Sequence, residues 1–345
     1  TMSEDGSPLA WIDPSLSATD PDANDNANLV WAIDSAPSTG SIADFNASTG
    51  AHTYIPPQDF NGPTSFVIGV ADPGLLKDSI TVNVVVSSQN DAPVINSAAN
   101  ATFTENQLPS VNITTVDAND TDNPVLTYSI SGGSDKDEFS ITPNDGNLTF
   151  KVSPDFENPT DTDKDNVYEI KITVMDANGS SDVQDLNVTV TDVNEAPVIV
   201  SLGGGATGLV TIPEGQTYVT EVNATDVDAG QTATLTYSIS GNISRFDINS
   251  TTGVLTSNPA PNFENPLDVF APPNDNEYSL TVTVTDAGLS PPNLTTTQVL
   301  RVTVTDVNEA PRFAVPGIIV TSGESNSNAL TAITATDVDG DTLVY

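Results

Sequence analysis

The chain of 345 residues carries 47 Asp and Glu against 8 Lys and Arg, a formal charge of −39, and no Cys. That charge excludes nucleic acid and anionic membrane surfaces as partners, and the lack of Cys excludes disulfide staples and thiol chemistry. With 37% hydrophobic and 6% aromatic residues the chain can build several small cores of about 100 residues each, but no large enclosed active site.

The carboxylates recur at fixed places between alternating apolar runs, which a disordered acidic chain would not maintain. No apolar stretch approaches the ~18 residues of a membrane span, and no charged-then-apolar leader starts the chain. It begins at Thr1 and ends at Tyr345 inside a strand pattern, so it reads as a piece of something longer, with any anchor elsewhere.

Residues 1–92 form a divergent first repeat. It has Glu4 near its start, Asp20 and Asp22 in TDPD, a strand pattern LVWAI at 29–33, Asp59 in PPQDFNGP and Asp72 closing a long strand pattern. The linker SSQNDAP at 87–93 supplies Asn90 and Asp91. Residues 93–196 form the second repeat, with Glu105 in TENQ, Asp117 and Asn119 as its D-x-D equivalent, and LTYSI at 126–130. A hairpin pattern FSITPNDGNLTF follows at 139–150, then Asp155 and Glu157 in PDFENP, the alternation Tyr168, Ile170, Ile172, Val174, and Asp176.

The next linker, TDVNEAP at 191–197, carries Asp192, Asn194 and Glu195. Residues 197–310 repeat the order: Glu214 in PEGQ, Asp226 and Asp228, LTYSI at 235–239, FDINSTTGVLTS at 246–257, Glu264 in PNFENP, the alternation Leu280, Val282, Val284, and Asp286. TDVNEAP returns letter for letter at 305–311 with Asp306, Asn308 and Glu309. Residues 311–345 open a fourth repeat with Glu324, Asp337 and Asp339. The period of two, about seven short strands per ~100 residues and turns tolerant of positive φ predict an all-β chain of tandem two-sheet antiparallel β-sandwiches.

At the linker after repeat 2, Glu105, Asp155, Glu157, Asp192, Asn194, Glu195, Asp226, Asp228 and Asp286 converge if successive sandwiches join end to end: eight carboxylates and one amide. Like charges that close repel by several kcal/mol even in a screened medium. Hard divalent cations remove the conflict. An irregular all-oxygen cage suits calcium over magnesium, and zinc would bring His or Cys.

This set of motifs resembles tandem cadherin repeats of the kind found in bacterial surface proteins. The residues that carry the resemblance are Glu105 and Glu214, Asp155-Phe156-Glu157, the linker pairs Asp192/Asn194 and Asp306/Asn308, the pairs Asp226/Asp228 and Asp337/Asp339, and Asp176 and Asp286. The resemblance implies cadherin/Ig-like Greek-key sandwiches forming a rod, calcium held at each boundary, and calcium-dependent adhesion outside the cell through like repeats on another molecule. The first repeat resembles instead the EDG, TDPD, FNG and NDAP pattern of cadherin-like repeats in large bacterial adhesins. The linker is one residue shorter than the family's, with Glu195 and Glu309 in place of its second Asp. Asn262 stands where Asp155 does, which predicts a weaker third joint. Ser88, Asn61 and Asn119 predict that the first joint is the weakest.

Other features have plainer expectations. Asp161, Asp163 and Asp165 resemble half of an EF-hand loop but lack the Glu at the twelfth place, so a solvated loop is expected. Trp11 is expected in core packing or surface stacking, His52 is expected to be inert, and Gly203 to Gly205 to form a loop. An enzyme is not expected, because identical carboxylates at every joint suit a scaffold. Two alternatives stay open: a passive calcium-stiffened stalk, and a carbohydrate-binding module for surface polysaccharide using Trp11, Trp31 and Tyr218.

Overall fold

In the computed structural model the described residues are 1–4, 10–22, 25–241, 244–268, 275–287, 293–313 and 334–344; Glu324 and Tyr345 lie outside them. The chain divides into two compact units, Thr1–Pro154 with Pro159–Thr191, and Asp155–Asn158 with Asp192–Tyr345. Regular structure among the described residues is strand, with three short 3-10 turns at Asn26–Asn28, Lys136–Glu138 and Gln231–Thr234.

The first unit holds two sandwiches. In one, a sheet orders Met2–Ser3, Lys77–Ser87, Gly62–Ala71 and Val30–Ser35, and the strands Ser41–Ala43 and Thr53–Ile55 pair beside it. In the other, Asn100–Thr104, Ser181–Thr191, Val167–Met175 and Thr127–Gly132 form one sheet, and Thr114–Thr115, Asn147–Phe150 and Phe139–Ile141 the second. The second unit repeats that plan with Thr207–Pro213, Thr295–Thr305, Glu277–Thr285 and Thr236–Gly241, faced by Tyr218–Glu221, Val254–Ser257 and Phe246–Ile248.

The sheets are antiparallel except for one pair in each sandwich. The first strand runs parallel to the last: Met2 beside Val86, Phe103 beside Val190, Ile212 beside Val304. A parallel pair needs a long crossover, here the rest of the sandwich, so the chain enters and leaves each sandwich along one edge.

Alternation of side chains sets the cores. Tyr168, Ile170, Ile172 and Val174 are all buried on one face of their strand, as are Tyr278, Leu280, Val282 and Val284 on theirs. Burial of each such side chain contributes about 1.5–3 kcal/mol. The opposite inner faces add Leu148 and Phe150 in one sandwich and Leu255 and Phe246 in the other. The predicted hairpins close on glycines in the left-handed region, Gly146 at φ +68° and Gly253 at φ +72°. Each lies under a backbone carbonyl, so a Cβ would stand 2.3 Å from Val116 O or 2.1 Å from Val222 O.

The first core gathers Trp31, Tyr54, Phe66, Ile68, Val84 and Val86, with Trp11 packed against it. Trp11 Nε1 donates to His52 O at 2.9 Å, and its ring lies 5.6 Å from the buried His52 ring, in accord with a packing role.

Candidate metal centre

A two-residue strand pair fixes the register of the acidic motifs. Ile199 pairs with Ala224, Phe313 with Ala335 and Ile95 with Ala118. Asp226, Asp337 and Asp120 each stand two residues past that alanine, so the D-x-D pair of the second sandwich is Asp120 and Asp122. The assignment to Asp117 and Asn119 is corrected: both are exposed, and Asn119 lies in the strand pair opposite Val94. Hydrogen bonds repeat the same geometry. The second Asp donates its N–H to the first at Asp122 to Asp120 Oδ1 (2.8 Å), Asp228 to Asp226 Oδ1 (3.1 Å), Asp339 to Asp337 Oδ1 (3.0 Å) and Asp22 to Asp20 Oδ1 (2.7 Å).

At the 305–311 linker the buried Glu214 accepts Phe263 N–H on Oε2 at 2.9 Å and Val307 N–H on Oε1 at 3.0 Å. Carboxylate oxygens of Glu214, Glu264 and Asp306 lie within 4.8 Å of one another. Glu309 N–H donates to Asp339 Oδ2 at 2.7 Å, bringing the D-x-D pair against the same linker. Among the described residues Glu264 Oε2, Glu309 Oε2 and Asp339 Oδ1 are buried and accept no hydrogen bond. Desolvation, then the neighbouring Asp339, Glu214 and Glu264, raises Glu309 from 4.5 to about 7. Desolvation with the surrounding carboxylates likewise raises Glu264 and Asp306. Asn308 Nδ2 donates to Glu309 O at 3.4 Å.

In the same unit the 191–197 linker shows a second copy. Glu157, Asp192 and Glu195 bring carboxylate oxygens within 4.8 Å of one another. Glu195 N–H donates to Asp228 Oδ2, and Asn194 Nδ2 to Asp286 Oδ2 at 2.9 Å. Asp226 Oδ2 and Asp228 Oδ1 are buried without a donor among the described residues. Burial and the Asp228 charge raise Asp192, and burial raises Asp226.

Asp155 is exposed, and its Oδ1 accepts Asn158 N–H at 3.0 Å; Asn262 Oδ1 accepts Asn265 N–H in the same turn of the third sandwich. An amide serves that turn as well as a carboxylate does. Glu105 is 2% exposed at the end of its strand in the first unit, with its N–H on Thr191 O.

In the first unit the 87–93 linker has the corresponding contacts. Buried Glu4 accepts Gln89 N–H on Oε1, Asp91 N–H donates to Asp122 Oδ2 at 2.8 Å, and Glu4, Asp91 and Asp122 group their oxygens within 4.8 Å. Asn90 Nδ2 donates to Asp176 Oδ2 at 2.6 Å, which leads the effects holding Asp176 below the usual carboxylate range. With Asp120 and Asp122 this linker faces a D-x-D pair as the other two do. Asp59 is half-buried on its own turn at φ +56°. Asp20, Asp22 and Asp25 form a further group, of which Asp25 has no counterpart among the expected ligands.

Buried carboxylate oxygens without donors are costly as anions. Oxygen-only donors in numbers, at irregular angles, fit calcium, which takes six to eight oxygens at 2.3–2.6 Å. The Glu after the first strand, the linker carboxylates and the D-x-D pair would hold it.

A family profile described as "Cadherin domain" matches residues 99–191 and 209–305, more than half of the chain. The chain belongs to the cadherin family. Its cadherin repeats are preceded by a stretch, residues 1–85, that matches a "Bacterial Ig domain" profile. Similar proteins include "Protocadherin-like wing polarity protein stan" of Drosophila melanogaster, 30% identical over 319 residues, 87% of this chain and 8% of that protein. "Protocadherin Fat 4" of Mus musculus is 30% identical over 306 residues, 86% of this chain and 6% of that protein. The chain thus spans under a tenth of these two relatives. The crystal structure of human CDH23 EC21-23 is similar with TM-score 0.54 at 17% identity, covering 87% of this chain and 96% of that one, which shows a shared fold.

The cadherin fold also bears on the polysaccharide alternative, which has no support. That alternative required Trp11, Trp31 and Tyr218 to form an exposed platform, whereas Trp31 is 8% exposed within the first core and Tyr218 alone of the three is exposed.

Proposed function

We propose that this chain is a run of calcium-binding repeats, 1–92, 93–196, 197–310 and the start of another at 311–345, whose linkers bind calcium and stiffen, and that it mediates calcium-dependent adhesion at a cell surface. The observation that carries the reading is the set of donor-less buried oxygens on Glu264, Glu309 and Asp339 beside Glu214. Calcium converts that repulsion into a cross-link, because its ligands come from the end of one repeat, the linker and the start of the next. The metal sets are Glu4, Asn90, Asp91, Asp120, Asp122 and Asp176 for the first linker; Asp155, Glu157, Asp192, Asn194, Glu195, Asp226, Asp228 and Asp286 for the second; and Glu214, Glu264, Asp306, Asn308, Glu309, Asp337 and Asp339 for the third.

Adhesion through like repeats on another molecule is the reading favoured by the similarity to Protocadherin-like wing polarity protein stan and Protocadherin Fat 4. No helix among the described residues is long and apolar enough to cross a membrane. Sedimentation of the chain in calcium and in chelator tests the adhesive part. Calcium-dependent self-association supports it; a monomer in both, still binding calcium, leaves a passive stalk.

A further inference from the structure

Between the DFEN turn and the strand Val167–Met175 lies a loop that the linkers do not use. Asp161 within it is 2% exposed. Its Oδ2 accepts Asp165 N–H at 2.8 Å, whereas Oδ1 is buried with no hydrogen-bond donor among the described residues. One carboxylate oxygen from each of Asp161, Asp163 and Asp165 lies within 4.8 Å of the other two. Desolvation, then Asp165, raises the Asp163 carboxyl, which also reaches the Asp161 carboxyl at hydrogen-bonding range.

Part of the loop's path is set within the cluster, where Asp165 Oδ1 also accepts Val167 N–H at 2.8 Å, and part from outside it. Asp135, also buried, holds it from outside: Oδ1 accepts both Thr162 N–H and Thr162 Oγ1 at 2.8 Å, and Oδ2 accepts Glu169 N–H. Lys164, the cation inside the loop, donates to Pro159 O at 3.2 Å. The chain bends through left-handed Lys164 and Asn166, at φ +63° and +65°. The three carboxylates are thus grouped in a loop where the buried Asp161 keeps one oxygen, Oδ1, without a donor among the described residues.

We infer that Asp161, Asp163 and Asp165 form a divalent-cation site of their own, suited to calcium, inside one loop of the second sandwich. The three oxygens lie within 4.8 Å of one another, as any oxygens held about 2.4 Å from one calcium ion must. Exposed Asp163 and Asp165 leave the outer side open to water for the remaining coordination. The third sandwich carries the same buried element independently. Asp268 is 3% exposed, its Oδ2 accepts Asp275 N–H, its Oδ1 has no donor among the described residues, and Asn276 is left-handed at φ +64°.

The test is a calcium titration of the ¹⁵N-labelled full chain, followed at the amides of residues 161–166, with Asp163→Ala as the variant. Asp163 is exposed, and matched amide spectra in chelator verify the variant's fold. The site predicts saturable shifts at these amides in the parent chain that Asp163→Ala abolishes, and one ion fewer per chain by equilibrium dialysis. Shifts at the linker amides report the linker sites separately, so failure of either is distinguishable. Amides 161–166 that stay unmoved in calcium, or move identically in Asp163→Ala, would overturn the assignment.

Discussion

The backbone N–H of Glu309 donates to Asp339 Oδ2 at 2.7 Å, and the same bond joins Glu195 to Asp228 and Asp91 to Asp122. The residue after the linker Asn thus holds the second carboxylate of the following D-x-D pair in one orientation at all three linkers. At the second and third linkers its other oxygen, Asp228 Oδ1 or Asp339 Oδ1, is buried with no donor among the described residues, whereas Asp122 Oδ1 accepts Ser88 Oγ at 3.5 Å.

This register separates Asp122 from Asp117. Asp122→Ala is expected to weaken calcium binding at the first linker on the order of tenfold, since ligand charge tunes such sites by decades. Asp117→Ala, at an exposed position just before the strand Ala118–Asn119, is expected to leave binding unchanged. Isothermal titration of both variants checks the pair.

Glu309 gives a pH dependence. Its carboxyl in the folded chain is raised from 4.5 to about 7, so any stability it contributes to the metal-free fold is present at acid pH and is lost as pH rises through about 7. Calcium must displace that proton. Calcium affinity at the third linker is therefore expected to rise between pH 6 and 8, with proton release near pH 7 measured by titration calorimetry in two buffers of different ionisation enthalpy.

At Asp155 the turn and the charge can be told apart. Asp155→Asn keeps an acceptor for Asn158 N–H, as Asn262 does for Asn265, and in chelator should change stability by less than about 0.5 kcal/mol. Asp155→Ala removes the acceptor and should cost about 0.5–1.5 kcal/mol. Urea unfolding in chelator measures both.

Backbone geometry predicts a further contrast. Gly253→Ala combines φ +72° with a Cβ 2.1 Å from Val222 O and should destabilise by more than about 1 kcal/mol. Gly215 has the same φ but nothing within 4 Å, so Gly215→Ala carries the conformational penalty alone and should shift the urea midpoint less.

Much of this was legible in the residues. Alternation in Tyr168 to Val174 and Leu280 to Val284 fixed the buried faces, and the turns at Gly146 and Gly253 closed the expected hairpins. The parallel pairing of first and last strands was not legible, because a contact such as Phe103 beside Val190 leaves no local signal. The slip at Asp117 has a specific cause. TVDANDTD contains two consecutive candidate pairs three residues apart, and the pairing of Ala118 with Ile95 is what selects Asp120 and Asp122. Asp161 looked like solvated loop because burial of its Oδ1 depends on the packing of the loop, not on the motif.

Small-angle scattering of the chain in calcium and in chelator tests the central claim most directly. Stiffened linkers predict a larger maximum dimension and a more rod-like profile in calcium, lost in a chain carrying Asp192→Ala with Asp228→Ala while both sandwiches stay folded. Identical profiles in calcium and chelator, with no heat of calcium binding, would contradict it and leave the carboxylates as turn formers and solubilising charge.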